Sequence, residues 1–311
     1  MKAPGGFAKK VPSQGMFLGK YPKQEVLTGF LFLLPVFIIF FVFRYYPLID
    51  NIFISFTSWN MFTPRRPVGF RNFQTILSSA EFWKILGNTL FYTFWSTLLS
   101  LALGLILAVL LFRKTSLGSR ILKTLFFIPN ITTASAVALL WVWIFDPDFG
   151  FSGQVFHLLG AESPRWLLER HWALWIIVSL TVWRSMGYAM LLFSTGLAGI
   201  TESFYEAARI DGASELQQFF FITFPLLAPT TYFLLTTSFI SAMQVFDVVQ
   251  VMTMGGPNNN TNVLNLYIYQ QAFIRSRAGM AAALSVILFV LLILMTILQR
   301  RFSSDTVGQY A

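Results

Sequence analysis

Six long stretches of this chain are apolar and almost free of charge, and they limit what it can fold into. They are Val26–Phe43, Ile85–Phe112, Thr124–Phe145, Ala173–Ile200, Pro225–Met252 and Ala278–Gln299. A helix needs about 20 mainly apolar residues to cross a bilayer; a barrel strand needs about half as many, in alternation. The lengths and the lack of alternation predict an all-α polytopic membrane protein with six transmembrane helices. The only charges inside the six are Arg184 and Asp247.

Composition agrees. Hydrophobic residues make up 56% of the chain and charged residues 11%, against about 25% charged in soluble domains. The chain has no Cys, which excludes disulfides, thiolate nucleophiles and cysteine metal sites. His157 and His171 have no metal-ligand spacing. Much of the net charge of +9 lies in the arm before the first apolar stretch. That placement points to membrane topology and anionic headgroups rather than to nucleic acid. The arm has no small-residue cleavage site, so the first stretch reads as a retained span.

An even number of spans puts both termini on one side. Lys2, Lys9, Lys10, Lys20 and Lys23, then Arg113, Lys114, Arg120 and Lys123, then Arg300 and Arg301, all fall on that side, which is therefore cytoplasmic. Residues 1–24 form a basic cytoplasmic arm, 25–300 the six-span domain and 301–311 a cytoplasmic tail. The outer segments are the long ones, about 47–83, 146–172 and 253–277. Pro47, Pro64, Pro67 and Gly69 make the first irregular, and Trp141, Trp143, Trp166, Trp172 and Trp175 form an aromatic belt around the second.

One cytoplasmic connector, about 201–224, is polar and helix-forming. Ser203 and Glu206 fit a capping box, as do Ser214 and Gln217, with Gly212 as a helix stop between them. Pro225 and Pro229 restart the chain into the fifth span. The prediction is two short helices joined at a glycine. Such a connector can rest on headgroups or dock on a protein. Its single basic residue, Arg209, and the small Ala207, Ala208 and Ala213 favour a protein.

The same residues carry a resemblance. Glu206-Ala207-Ala208, Asp211-Gly212-Ala213, Phe219, Ile222, Pro225 and Pro229 resemble the EAA signature of ABC importer permeases of type I fold. Asn88-Thr89-Leu90, Phe127-Ile128-Pro129, Thr253-Met254-Gly255-Gly256-Pro257 with Thr261, Tyr267-Ile268-Tyr269 and Ala272-Phe273 follow in the order of maltose-type carbohydrate permeases. The resemblance covers about residues 25–300 and lacks the large external insertion of longer members. It implies that the 201–224 loop is a coupling helix, with Glu206, Ala207, Ala208, Asp211, Gly212 and Ala213 docking on a cytoplasmic ATP-binding subunit. It further implies a second homologous permease, two ATP-binding subunits that hold ATP and Mg, an external solute-binding protein and a bacterial or archaeal cytoplasmic membrane. No cofactor of its own is expected, because no phosphate-binding G-x-x-x-x-G-K-[ST] loop and no catalytic grouping occur in the sequence.

Charges inside spans are costly and face protein or water. Thr181, Arg184, Ser185 and Tyr188 lie on one helical face; Thr237, Ser241 and Gln244, with Ser238 beside them, form a stripe in the fifth span. Sugar permeases of the resembled family place substrate contacts on these two helices. That makes Thr181, Arg184, Ser185, Tyr188, Ser238, Ser241 and Gln244 candidate pathway residues for a sugar, oligosaccharide or polyol. The plainer alternative is that the hydroxyls bond backbone or join helices. A rise of about 1.5 Å per residue puts Asp247 about 12 Å farther from the inner face than Arg184, near the outer mouth and out of ion-pair reach. Two rival functions predict different sequences. A gradient-driven transporter predicts an intramembrane carboxylate relay, and a membrane scaffold needs no polar stripes.

Overall fold

The computed structural model describes residues 23–112 and 116–307. Most of the basic arm, Arg113 and Lys114, and the last four residues of the tail lie outside them. Two units are distinguished, one ending at Asn51 and the other starting at Ile52.

In the first unit, α1 (Lys23–Phe40) passes through a π turn, Phe41–Tyr45, into α2 (Tyr46–Ser55). The apolar stretch is therefore a helix running Leu27–Ser55 with mean hydropathy 2.3. It continues past Pro47, where the sequence suggested irregular chain. The reason is local. Proline lacks an N–H and crowds the preceding turn. The wider turn, with Tyr46 N–H bonded to Phe41 O, absorbs that defect just before Pro47.

The second unit opens with a two-residue antiparallel hairpin, β1 (Thr57–Ser58) and β2 (Arg66–Pro67), and a short helix, α3 (Arg71–Leu77). Next comes α4 (Ala80–Phe112), 33 residues long. Its buried residues recur every three or four positions: Phe82, Ile85, Thr89, Tyr92, Ser96, Ser100, Gly104, Ala108 and Leu111. That is one helical face, and it packs mainly against α8 (Ala173–Ala198). A Cβ on Gly104 would stand 2.5 Å from Ala189 Cβ, so the two helices approach closely there.

Between these helices, the third apolar stretch is not one straight span. It forms α5 (Leu117–Ile131) and α6 (Ala134–Ile144), bent by 101°. Pro129 weakens the last turn of α5, and Thr132 and Thr133 then take extended backbone (ψ 142° and 130°). A small outer helix, α7 (Phe151–Leu158), follows, and Phe145, Phe156 and Trp172 stand against Trp166 in the belt.

The connector after α8 is α9 (Glu202–Ile210) and α10 (Glu215–Gln218). A second π turn, Phe219–Thr223, again sits just before a proline, Pro225. The chain then forms α11 (Phe224–Leu226) and α12 (Ala228–Met243), with a 63° bend between Glu215–Leu226 and the latter. The fifth stretch also ends earlier than its apolarity suggests. Gln244 and Val245 bond back only three residues, to Ser241 O and Ala242 O, and the chain restarts as α13 (Asp247–Met252). Then come α14 (Leu264–Tyr269), a third π turn at Gln270–Ile274, and α15 (Ala278–Val307). The described residues thus hold four straight helices long and apolar enough to span a membrane, and two bent pairs that bring the number to six.

Side chains in the second unit bury three apolar clusters. One surrounds Tyr92, Ile177, Leu180 and Val249; one Phe82, Ile85, Met243 and Leu284; one Ala108, Met190, Phe193 and Leu234, nearest the 201–224 loop. Between the first and third lies a polar hollow.

Candidate functional site

The hollow is a cavity of about 720 Å³. Four parts of the second unit wall it: α4, the α5–α6 break, α8, and α12 with the start of α13. All seven candidate pathway residues, Thr181, Arg184, Ser185, Tyr188, Ser238, Ser241 and Gln244, line it. Their bonding separates them. Thr181 Oγ1 lies 2.8 Å from Tyr92 Oη, and Thr237 Oγ1 donates to Phe233 O at 2.8 Å. Those two hydroxyls tie structure together. The hydroxyls of Ser185, Ser238 and Ser241 and the side-chain amide of Gln244 have no hydrogen-bond partner among the described residues. Trp183 does not line the cavity; it stands against Trp141.

Arg184 is explained by the break in the third stretch. The end of α5 leaves carbonyls without helical partners. Arg184 reaches across from α8, with Nε 3.4 Å from Pro129 O and Nη2 3.1 Å from Thr132 O. Its guanidinium therefore caps a broken helix and still faces the cavity. Asp247 lines the same cavity as Arg184, at the start of α13, where the chain restarts after α12 stops at Met243. The two do not form a direct ion pair, as the spacing argument had concluded.

Sequence reasoning missed the α4 wall. Tyr92, Ser96, Thr97 and Ser100 line the cavity, and the hydroxyls of Thr97 and Ser100 are buried with no partner. An unpaired buried hydroxyl costs about 1–3 kcal/mol, a cost that α4 carries at this wall. The spacing i, i+4, i+5, i+8 was the available signal, hidden in a strongly apolar run. Asn130, Phe246 and Asn265 also line the cavity, and Asn265 Nδ2 donates to Gln244 O at 2.9 Å.

The connector is well defined. Ala213 N–H bonds Ala208 O at 2.9 Å and Gly212 N–H bonds Arg209 O at 3.1 Å, with Gly212 at φ +79°. This is a Schellman ending, which needs a left-handed residue at that point. Ser214 and Gln217 form the reciprocal capping box, with Ser214 N–H to Gln217 Oε1 at 2.8 Å. The box expected at Ser203 and Glu206 does not form. The helix begins at Glu202, and Thr201 is its cap without a side-chain bond. Glu202 instead pairs with Arg209 at 3.2 Å, and an acid in the first turn also suits the helix dipole. Glu206, Ala207, Asp211 and Gly212 are exposed, and Ala208 and Ala213 half-buried. At the elbow Ile210 and Leu216 are 86% and 72% exposed, an unusual display on a polar connector. Tyr205 Oη lies 2.9 Å from Thr223 Oγ1 and ties α9 to the entry of the fifth span.

At the end of the bundle away from the 201–224 loop, Glu81 gathers the 253–277 segment. It accepts from Arg275 Nη2 at 3.1 Å, Tyr267 Oη at 3.1 Å and Asn259 Nδ2 at 3.0 Å. The bond to Glu81 and its charge raise the Arg275 pKa further, and burial with the nearby Glu81 charge raises that of Tyr267.

Comparison with known proteins places the arrangement. Residues 100–307 match the family model described as "Binding-protein-dependent transport system inner membrane component". The probable ABC transporter permease YesP of Bacillus subtilis (strain 168) is 34% identical over 91% of this chain and 92% of its own length. The trehalose/maltose transport system permease MalF of Thermococcus litoralis is 32% identical over 89% of this chain and 94% of its own. A chain in the crystal structure of a bacterial ABC transporter involved in the import of the acidic polysaccharide alginate superposes with a TM-score of 0.80. It is 24% identical and covers 91% of this chain and 96% of its own, a likeness of fold. With its bent spans, its exposed two-helix connector and these matches, the chain belongs to the binding-protein-dependent inner membrane component family and is the multi-pass permease subunit of an ABC importer.

Proposed function

We propose that this permease forms, with a second homologous permease, the translocation path for a sugar, oligosaccharide or related polyol. The observation that carries the reading is the convergence of the cavity-lining hydroxyls and amides. Ser185, Ser238, Ser241 and Gln244 line the cavity and offer side-chain bonding groups that have no partner among the described residues. Such a wall suits a solute covered in hydroxyls. Tyr188, 40% exposed, offers a ring face to the apolar side of a sugar. A cavity of about 720 Å³ falls within the usual range for small-molecule sites, about 300–1,000 Å³. The name of the Thermococcus relative, a trehalose/maltose permease, supports the same class.

ATP is hydrolysed on two cytoplasmic subunits, and an external solute-binding protein delivers the cargo. The 201–224 loop couples the former to the spans. Ile210 and Leu216, with Glu206, Ala207, Ala208, Asp211, Gly212 and Ala213 around them, seat in the ATP-binding subunit. Tyr205 and the π turn before Pro225 pass the motion to α12. Both termini are cytoplasmic, on the side of that loop, and the basic residues after the sixth span agree with this.

The test is uptake into proteoliposomes holding both permeases and both ATP-binding subunits, with the binding protein supplied outside. Labelled maltose should accumulate only with ATP inside, and Gln244→Ala should cut uptake by about tenfold, the effect of one lost hydrogen bond of about 1.4 kcal/mol. Uptake driven by an ion gradient without ATP would sink the reading, as would a panel of maltose, trehalose and glycerol with no flux at all.

A further inference from the structure

A second pocket, of about 520 Å³, opens at the end of the bundle away from the 201–224 loop. It shares no lining residue with the central cavity. Lys84 and Asn88 supply one wall from adjacent turns of α4. Arg170 and His171, in the turn before α8, supply the facing wall, and Trp175 of α8 the apolar side.

Three features make this a built site rather than a gap. First, its lining holds Lys84, Arg170 and His171 and no carboxylate. The nearest acid along α4, Glu81, is occupied by Arg275, Tyr267 and Asn259. Second, the polar groups are fixed. Lys84 Nζ donates to Asn258 O at 2.6 Å, which leaves two of its three N–H groups. Asn88 Nδ2 donates to Asn259 O and Asn262 O at 2.8 and 3.1 Å, which leaves its carbonyl oxygen as an acceptor. Arg170 is in no ion pair among the described residues. Third, the aromatic wall is braced. Trp175 meets Phe91 edge-on at 5.0 Å and Trp95 at 5.4 Å, yet stays 37% exposed.

We propose that this pocket is an outer-face binding site for an anionic saccharide unit, a uronate or a sugar bearing phosphate or sulfonate. The anion meets Lys84 and Arg170, where charge-assisted bonds are strongest. A hydroxyl donates to Asn88 Oδ1, and the apolar face of the ring lies on Trp175. The volume fits one or two sugar rings. The site goes beyond the central-cavity reading and does not depend on it.

The test uses the full importer in phosphatidylcholine nanodiscs and calorimetric titration with digalacturonate, with neutral maltose as control. Digalacturonate should bind saturably, at least about tenfold tighter than maltose. Arg170→Gln should weaken it by about tenfold, since a charged hydrogen bond contributes about 1.5–3 kcal/mol. Arg170 has no internal bond to disturb, so this variant keeps the fold; Lys84→Gln is the second variant and should act in the same direction. Gln244→Ala should leave this binding unchanged, which separates failure here from failure of the central cavity. An unaltered digalacturonate affinity in both Arg170→Gln and Lys84→Gln would overturn the proposal. So would loss of digalacturonate binding when anionic phosphatidylglycerol replaces zwitterionic phosphatidylcholine at salt high enough to screen repulsion from the bilayer, since the anionic headgroup would then hold the pocket.

Discussion

Arg184 shows how one side chain serves two ends. Its guanidinium satisfies carbonyls at Pro129 and Thr132 that a broken helix exposes. A lysine keeps the charge but has no planar fork to span both. Arg184→Lys should therefore lower stability in detergent by about 1.5–3 kcal/mol, the worth of a charged hydrogen bond. Arg184→Ala should lower it more, and transport should fall in both. Thermal unfolding of the purified importer, followed by uptake, checks the order. Gly212 is the second case. At φ +79° any side chain is strained, so Gly212→Val should cost at least about 1–2 kcal/mol locally. The expected readout is a loss of cargo-stimulated ATP hydrolysis, with the permease still inserted. Unchanged stimulation would remove the Schellman turn from the coupling pathway.

Among elements, the straight spans were legible because an apolar helix declares itself by length alone. The polar stripes on α8 and α12 were legible for the same periodic reason, and all seven residues read from them line one cavity. What escaped was where helices stop. The break at Thr132–Thr133 lies inside an unbroken apolar run, and only Pro129 hints at it. The end of α12 before Val245 carries no glycine or proline at all, so the sequence alone suggested a continuous helix through to Asp247. The α4 hydroxyls escaped because Ser and Thr in an apolar run read as helix contacts; only their lack of partners sets them apart. The cap of α9 is Thr201 rather than Ser203, and Glu202 in its first turn pairs with Arg209 of the same helix. A test at this scale concerns the elbow of the connector. Ile210→Glu with Leu216→Glu should leave the spans folded, since both side chains face outward. It should weaken capture of the ATP-binding subunits by at least about tenfold if those apolar tips seat in them. Pull-down from detergent at matched permease levels reads this directly.

For the molecule as a working subunit, the 253–277 segment and the connector sit at opposite ends of the same helices. Glu81 binds that segment to the first turn of α4 through Arg275, Tyr267 and Asn259. The Glu81–Arg275 pair is partly exposed, at 30% and 39%, so it contributes less than about 1 kcal/mol by itself. Glu81→Gln should thus change the melting temperature little. It should nevertheless speed amide exchange across 253–277, because three donors lose their shared acceptor. Exchange that stays at the native rate would mean the loop is held by its own bonds, chiefly those of Thr253, Thr261 and Asn262.

The hydroxyls of Ser238 and Ser241 on the cavity wall carry a further consequence. When the vestibule is vacant, water must satisfy them. An arriving solute then swaps one set of hydrogen bonds for another of nearly equal strength, and gains little from the exchange. Such a chamber grips weakly and lets go quickly. It is built as a corridor rather than a receptor, and discrimination among cargoes falls to whatever hands them in at the door.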